Sequence, residues 1–560
     1  MIEPNKTTYS SLGALILALL QASVLWGLHE SLKSGSWPAN DSAILPSLYL
    51  ITIVIPLTLL LFWSYRRERI LWIFTCLLTA FFLWSGRYIL DGVTGPVSAS
   101  TLDEDNAIAN YLLPFVVAWL IAVPILRARL ETGRWKDNYP SLFRGAWRTY
   151  LTLAETAFFT GVFWVLLMIW AALFDMLGIN FFRLLFTDSR FVYPATTLAA
   201  SVAIQLIGRS DMLLDGMLDQ LLGLMKWLTP LAGLIVALFT IALLPKIPAL
   251  FGSGERVIDS TILLSLVALT LLLINAAYRD GVSEPGYGKL LRQALRIVPP
   301  LLSVIAVTAL ASIIIRTTYL GLTPARFWGL VVAVFALLFS LGYTISAARS
   351  GPWMADIRRV NLTIAVMLLC VLFITLTPFG SPIRWSVAHQ LSLATTLSST
   401  ERREGAIHFL RFDAGTAGRV ALDRIVSDEV RYADPVLRDQ ARRIQALKKK
   451  GSPQVRDPAA ISARYAAWRQ RLIILPEGTT LPRSLNLALQ EKFSLNASRL
   501  DPGDDALTPQ LVFVDLTGDG ALDALLFTGT LHGDRKMVRD YVIFISERED
   551  WISINSANQR

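Results

Sequence analysis

The residues of this chain best suited to chemistry form an acidic loop near its C-terminal end, between two short runs typical of strands. The loop offers oxygen atoms at alternate positions around a glycine that permits a sharp turn. The predicted ligands are Asp515, Thr517, Asp519, the Ala521 carbonyl and Asp523. Calcium prefers such oxygen ligands. Leu526 takes the place of the bidentate glutamate of an EF-hand, so a weak calcium site is predicted, the alternative being a β-turn whose aspartates bond local backbone.

A second candidate is a carboxylate inside an apolar segment. Glu155 lies in the apolar stretch 149–174, flanked by Thr152 and Thr156. An ionisable side chain in hydrocarbon is costly, which makes Glu155 a functional candidate. Three interpretations stay open: a proton or cation site, a neutral acid hydrogen-bonded across a helix interface, or a charge reaching towards the basic connection before it. Gln205 and Asn275 are interpreted as groups that hydrogen-bond between helices.

Signatures of catalysis are absent from the sequence. It contains no phosphate-binding glycine loop, zinc-protease helix, nucleophile elbow or kinase set. The four histidines are scattered, and the two cysteines, Cys76 and Cys370, both lie in apolar runs. Neither a zinc motif nor a disulfide framework follows from them. The sequence favours a protein without enzymatic activity and leaves the question open.

The elements that must position these residues are apolar segments. The chain is 54% hydrophobic and only 17% charged, too little charge to cover a soluble protein of this size. Segments of roughly 20 residues cross the hydrocarbon layer. The predicted spans are 9–28, 44–64, 70–86, 109–126, 149–174, 193–208, 227–248, 258–278, 297–315, 326–346 and 360–379. The predicted fold class is a polytopic α-helical membrane protein of about eleven helices with a C-terminal soluble α+β domain.

The chain turns polar near residue 380, so the predicted domains are a transmembrane helical domain, 1–379, and a soluble domain, 380–560. In the soluble domain the pattern predicts helices over 407–426, 433–450 and 458–475, then strands over 510–515, 521–528, 541–546 and 551–554. Between spans, 209–226 predicts an amphipathic helix at the membrane interface, with its aspartates on a solvated face. Ala195, Ala199 and Ala203 form a face that should pack closely on another span.

Basic residues are concentrated in alternate connections between the predicted spans. They are Arg66, Arg67 and Arg69; Arg127, Arg129, Arg134, Lys136, Arg144 and Arg148; Arg279, Lys289, Arg292 and Arg296; and Arg349, Arg358 and Arg359. The positive-inside rule puts these connections and the N-terminus in the cytoplasm, and an odd number of spans puts the soluble domain outside. The net charge of +9 therefore indicates membrane orientation, with the lipid bilayer as partner and no nucleic acid.

Two stretches resemble a known family. They are Arg316-Thr-Thr-Tyr319-Leu320-Gly321-Leu322-Thr323-Pro324-Ala-Arg326, and Phe409-Leu410-Arg411 followed by Gly418 and Ala421-Leu422. They resemble the bacterial multi-pass membrane proteins called domain of unknown function 4153, with the sister family 4173. One departure is Leu320, where an aromatic residue is expected. The resemblance implies a bacterial inner-membrane protein and no established activity. In such a membrane, the charge pattern makes the C-terminal domain periplasmic.

The arginines of the first stretch have a physical interpretation of their own. Arg316 and Arg326 flank a tight turn and are predicted to anchor neighbouring span ends at the membrane interface. A role in binding a ligand is the alternative.

Two functions remain open at this level. The first is a non-enzymatic envelope scaffold or sensor that presents a periplasmic domain to a protein partner. The alternative is a transporter or lipid-handling protein with a polar site near Glu155.

Overall fold

The computed structural model describes residues 11–41, 44–90, 101–135, 139–208, 211–247, 259–279, 281, 286–349, 354, 356–396, 400–447, 465–476, 478–500, 508–517, 520, 522–532, 535–547 and 550–555. The chain divides into two compact units, Met1–Arg442 and Arg443–Arg560. The described regular structure of the first unit is helical, and the second unit combines helices with a β-sheet.

The described helices of the first unit follow one another along the chain. They are α1 (Ser11–Ser34), α2 (Leu45–Leu61), α3 (Arg69–Leu90), α4 (Thr101–Thr132), α5 (Tyr139–Met176), α6 (Phe181–Thr187), α7 (Ser189–Ile207), α8 (Asp211–Leu243), α9 (Ser260–Tyr278), α10 (Lys289–Leu295), α11 (Val298–Leu320), α12 (Pro324–Ala348), α13 (Ile357–Thr375), α14 (Pro382–Thr396), α15 (Thr400–Phe412) and α16 (Gly415–Ser427). Helix α17 (Pro435–Ala446) crosses the boundary between the units.

Ten helices in the described part of the chain are long and apolar enough to cross a membrane. They are α1, α3, α4, α5, α7, α8, α9, α10 together with α11, α12 and α13. Helix α2 is apolar but shorter, at 17 residues. The predicted spans coincide with these ten helices and α2, so the multi-pass helical fold is confirmed. Large apolar side chains on the outside, such as Phe158 at 74% exposure, are those that hydrocarbon would cover.

Helix α8 differs from the sequence prediction. The expected interfacial helix 209–226 and the span 227–248 form one continuous helix, Asp211–Leu243. Nothing at Lys226 and Trp227 breaks the helical pattern, and Pro230 is accommodated inside the helix. The aspartates are also more than a solvated face, because Asp215 pairs with Arg148 of α5 and Asp219 pairs with Arg279 after α9 at 3.0 Å.

The alanine face of α7 packs against α1, which confirms the predicted close contact. Ala199 and Ala203 are buried, and so are Ala14, Ala18 and Ala22 of α1. Small side chains at every fourth position on both helices let the two backbones approach closely.

The ends of the helices in the first unit group at two opposite ends of the bundle. One, here called the basic end, carries the arginine-rich connections, including the pair between Arg349 and Asp356 (2.7 Å). The other, here called the turn end, carries the turn 321–323 between α11 and α12. Helices α14, α15 and α16 contact α12, α11 and α4 respectively. The first unit therefore extends past the predicted boundary at residue 379, because these helices bury Ile383, Leu410 and Leu422 within it.

The second unit contains a five-stranded mixed sheet. Its elements are α18, described over 465–470, β1 (Ile473–Leu475), α19 (Arg483–Leu500), β2 (Gln510–Val514), β3 (Asp523–His532), β4 (Arg535–Glu547) and β5 (Asp550–Asn555). The strand order is β1-β2-β3-β4-β5; β1 and β2 are parallel, and the later neighbours are antiparallel. The core contains the buried side chains of Trp468, Phe493, Leu511 and Phe544.

The four predicted strands are confirmed, but two predicted helices were wrong in extent. The predicted helix 407–426 is two helices, because the chain turns between Phe412 and Gly415, where Gly415 adopts φ +57°. The predicted helix 458–475 ends near residue 470, and Ile473–Leu475 pair with β2 instead. The continuous apolar run Leu472–Leu475 there suits a strand as well as a helix, and only the partner strand decides between them.

Candidate functional site

A groove runs along α9 and α12 inside the first unit and consists of two adjoining cavities. The apolar chamber has a volume of about 560 Å³ and the arginine chamber about 780 Å³. Ala268, Trp328 and Val332 line both chambers, so one molecule could reach through both. Each volume lies within the roughly 300–1,000 Å³ of pockets that bind small molecules.

The apolar chamber lies between α4, α9, α12 and α13. Its walls are almost entirely hydrocarbon side chains, such as Leu113, Leu271, Phe335 and Leu368. Leu113, at 65% exposure, and Leu272, at 43%, show that the wall continues onto the outer surface of the bundle. Because that surface faces lipid in a membrane, the chamber opens towards the bilayer. An apolar cavity accepts hydrocarbon more readily than water.

A cluster of amides and phenols closes the apolar chamber towards the basic end. The Tyr343 hydroxyl donates to Oδ1 of Asn361 (2.7 Å). Nδ2 of Asn361 donates to the Tyr139 hydroxyl (2.8 Å) and to Oδ1 of Asn275 (2.9 Å). The Tyr139 hydroxyl also approaches Oδ1 of Asn275 (3.4 Å). Four helices thus share one polar cluster without a formal charge, and three of its members line the chamber.

Helix direction explains why these four residues meet. Tyr139 begins α5 and Asn361 lies near the start of α13, whereas Asn275 and Tyr343 lie near the ends of α9 and α12. Because α5 and α13 run in the opposite direction to α9 and α12, the starts of the first pair and the ends of the second lie at the same end of the bundle. Asn275 is confirmed as a group that hydrogen-bonds between helices. Gln205 is not, because its amide donates to Ser201 in its own helix.

Sequence reasoning missed the other three members of the cluster. Asn361 is the one that carried a signal, since it is an uncharged polar residue in the first turn of an apolar segment. Such a side chain commonly hydrogen-bonds to a polar group of a neighbouring helix.

The arginine chamber lies at the turn end, between α9, α11 and α12. Arg316, in the last turns of α11, and Arg326, in the first turn of α12, both line it. Hydroxyl groups of Ser260, Thr261 and Ser265 from the start of α9 line the same chamber. Two arginines and three hydroxyl-bearing residues therefore line a cavity whose remaining walls are mainly apolar, and the Ser265 hydroxyl donates to the Thr261 carbonyl (2.8 Å).

The turn beside the arginine chamber is held by two residues of α14. The Leu322 amide donates to Nδ1 of His389 (3.2 Å). Nε2 of Gln390 donates to the carbonyls of Leu320 (3.3 Å) and Leu322 (3.1 Å). Together these bonds fix the turn between α11 and α12 against α14. The sequence did not predict this contact, because the residues that form it are about 70 positions apart in the chain.

Arg326 stabilises the same turn from inside. Its Nη1 donates to the carbonyls of Leu320 and Gly321, the groups that end α11. Thr323 caps α12 by accepting from the Arg326 amide (3.3 Å), with Pro324 following in the first helical position. The expectation that Arg326 anchors a span end agrees with these bonds, and a ligand role for Arg316 and Arg326 stays a prediction.

Glu155 lies away from the groove. It is absent from the walls of both chambers as the described residues form them. Its Oε1 is buried and has no hydrogen-bond partner among the described residues. The interpretation of Glu155 as a proton, cation or transport site stays a prediction.

In the acidic loop of the second unit, Asp523 organises the backbone. Its Oδ2 accepts from the amides of Leu516 (2.9 Å) and Thr517 (3.1 Å) and from the Thr517 hydroxyl (3.3 Å). The Gly520 amide donates to Oδ2 of Asp515 (3.0 Å), and Gly520 adopts φ +85°. These are the bonds of the turn interpretation.

The calcium interpretation of this loop stays a prediction. The predicted ligands Asp519 and Ala521 lie outside the described residues. Within the described part of the chain, no three His, Cys, Asp or Glu side chains are grouped to hold a metal ion.

Replacing Asp523 by alanine should lower the free energy of unfolding of the second unit by roughly 1–3 kcal/mol, because a fully buried acceptor is removed from three donors. Pulse proteolysis of the full-length protein in urea measures this loss. The matched control is Asp515→Ala, since Asp515 is exposed and holds the Gly520 amide. An equal or larger loss in that control would contradict the role given to Asp523.

Comparison of the chain with protein-family models, curated proteins and solved structures found no match. The resemblance to domain of unknown function 4153 therefore stays a prediction, and the function must be argued from the groove itself.

Proposed function

We propose that this protein binds a membrane amphiphile, a molecule with a hydrocarbon part and a polar group, in the groove along α9 and α12, and so handles lipid. One observation carries the proposal: an apolar chamber that reaches the outer surface of the bundle adjoins a chamber lined by arginines. The apolar chamber suits hydrocarbon, and the bilayer around it is the nearest source. Charged and polar side chains within the hydrocarbon region are costly unless they pair with other protein groups or bind a ligand.

The site proposed here differs from the expected polar site near Glu155. The polar groups along the groove are instead the cluster of Tyr139, Asn275, Tyr343 and Asn361 and the two arginines. Among the described residues that line the groove, no nucleophilic side chain is paired with a general base. Binding and transfer of a lipid are therefore favoured over its chemical conversion.

The proposal includes an orientation in a bacterial inner membrane. The basic end would face the cytoplasm, supported by the concentration of arginines in its connections. The turn end, with α14 to α16, would face the periplasm together with the residues that follow. An envelope scaffold or sensor with a periplasmic protein partner remains the competing function, and lipid binding in the groove would be compatible with sensing.

Filling the apolar chamber should abolish binding there. Ala365 lines this chamber on α13, so Ala365→Trp places an indole in the space for hydrocarbon. The full-length protein in nanodiscs is exposed to a phospholipid with a photoreactive acyl chain, and labelled peptides are identified by mass spectrometry. We expect labelling of α9, α12 and α13 at the groove to fall at least roughly fivefold in this variant.

The control for this experiment is Val366→Trp, one residue further along the same helix. Val366 is 45% exposed and lies outside the groove, so labelling at the groove should be retained. Labelling that is even around the whole bundle, or that Ala365→Trp leaves unchanged, would refute the proposed function.

A further inference from the structure

We infer that the amphiphile carries a phosphate group and that Arg316 and Arg326 hold this phosphate in the arginine chamber, with the hydrocarbon chains in the apolar chamber. The inference rests on the proposed function and gives it a substrate class and an orientation. It assigns the charged group to the turn end and leaves the polar cluster of Asn361 at the far end of the chains.

The first argument is the pairing of two arginines in one cavity. The tight turn between α11 and α12 places Arg316 and Arg326 on facing helix ends, and both side chains line the chamber. Two like charges in a partly buried space repel each other, and an anion between them would offset that repulsion. The planar guanidinium matches phosphate oxygens with paired hydrogen bonds, which makes arginine the common residue for such groups.

Arg326 has hydrogen-bond donors beyond those that hold the turn. Arg326 uses Nη1 for the carbonyls of Leu320 and Gly321, whereas a guanidinium carries five N–H donors on three nitrogens. These bonds fix the position of the side chain, so its charge is held at the chamber and little ordering is needed when an anion binds. Hydroxyls of Ser260 and Thr261, at the positive end of the α9 dipole, offer further polar groups.

One negative charge lies nearby and must be weighed. Asp259 caps α9, and its carboxylate accepts from the Thr261 amide (2.9 Å). Asp259 does not line the chamber as the described residues define it, while both arginines do. Cations therefore outnumber the carboxylate at the cavity itself.

The third argument is the contrast between the two ends of the groove. The cluster of Tyr139, Asn275, Tyr343 and Asn361 has no formal charge, and its groups already bond one another. Such a cluster offers no attraction to an anion that would compete with two arginines. A phosphate-bearing lipid thus has one favourable orientation, and a free phosphate would lack the hydrocarbon that fills the apolar chamber.

The experiment measures binding to the full-length protein in detergent micelles by native mass spectrometry and thermal shift. The probes are dioleoyl phosphatidic acid, dioleoyl phosphatidylcholine, dioleoylglycerol and inorganic phosphate. We expect phosphatidic acid to bind at least roughly tenfold more tightly than the other three. Arg316→Gln should remove most of this preference, and Arg316→Lys should keep part of it, because lysine retains the charge without the planar fork.

The matched control is Arg190→Gln, an exposed arginine at the start of α7 and outside the chamber, which should leave the preference intact. Equal binding of all three lipids by the unaltered protein would overturn the phosphate inference and leave lipid binding standing. No binding of any lipid would overturn both. If inorganic phosphate binds as tightly as phosphatidic acid, the chamber is a site for free anions and the inference is also overturned. These three outcomes are measured on the unaltered protein, so they do not depend on whether the variants fold.

Discussion

Replacing Gly321 by alanine is expected to lower the free energy of unfolding of the first unit by roughly 2–5 kcal/mol, from backbone strain and overpacking together. Gly321 ends α11 at φ +80° and ψ 162°, a region that side chains strongly disfavour. An added Cβ would also lie only 2.6 Å from Cδ of Gln390. Moving Gln390 away would break its bonds to the carbonyls of Leu320 and Leu322. Unfolding in mixed micelles of increasing dodecyl sulfate content measures the effect.

The control for Gly321 is Gly27, in the middle of α1. A Cβ added at Gly27 meets nothing within 4 Å, so Gly27→Ala should be neutral or stabilise the helix by up to about 1 kcal/mol. The double variant Gly321→Ala with Gln390→Ala removes the clash and keeps the backbone strain. An effect of Gly321→Ala no larger than that of Gly27→Ala would contradict the structure of this turn.

The second large effect is expected at the polar cluster. Asn361→Leu removes hydrogen bonds to Tyr139, Asn275 and Tyr343, and each such bond between membrane helices contributes roughly 0.6–2 kcal/mol. We expect a total loss of about 2–4 kcal/mol, since the phenols and the remaining amide lose a shared partner. The same unfolding titration measures it.

A double-mutant cycle separates this loss from a change in packing. Tyr343→Phe removes one of the bonds, so Asn361→Leu should cost less in that background than alone. Thr363→Leu is the matched control, because Thr363 is exposed two residues further along α13. If Asn361→Leu costs no more than Thr363→Leu, the cluster does not stabilise the bundle.

Local sequence patterns predicted the spans well, and tertiary contacts explain where they failed. Hydropathy alone identifies a helix such as α9, because a membrane segment must satisfy its backbone internally. The same signal does not report where two helical patterns join, so the continuity of α8 through Lys226 was missed. It also missed the break before Gly415, which adopts φ +57° where the chain turns so that α15 and α16 pack against each other.

The groove could not be predicted from the sequence, because its residues come from distant helices. Tyr139 and Asn361 are 222 positions apart, and their contact depends on how the helices pack. Glu155 drew attention because it is charged in an apolar segment, whereas the groove is built mainly from ordinary apolar residues. His389 was overlooked, because nothing in the sequence distinguishes it among four scattered histidines. In the structure it accepts a hydrogen bond from the turn beside the arginine chamber.

The hold of α14 on the turn has a consequence for communication along the molecule. His389 and Gln390 of α14 and Arg326 of α12 all hydrogen-bond the backbone of the turn 320–322, so a shift of α14 would disturb the turn that positions Arg326 in the arginine chamber. Thermodynamic linkage is reciprocal. A partner that bound α14 and shifted this turn would change the affinity of the arginine chamber for its proposed occupant, and the occupant would change the affinity for that partner by the same factor. A partner that bound α14 and the proposed occupant of the arginine chamber would therefore be coupled through these hydrogen bonds.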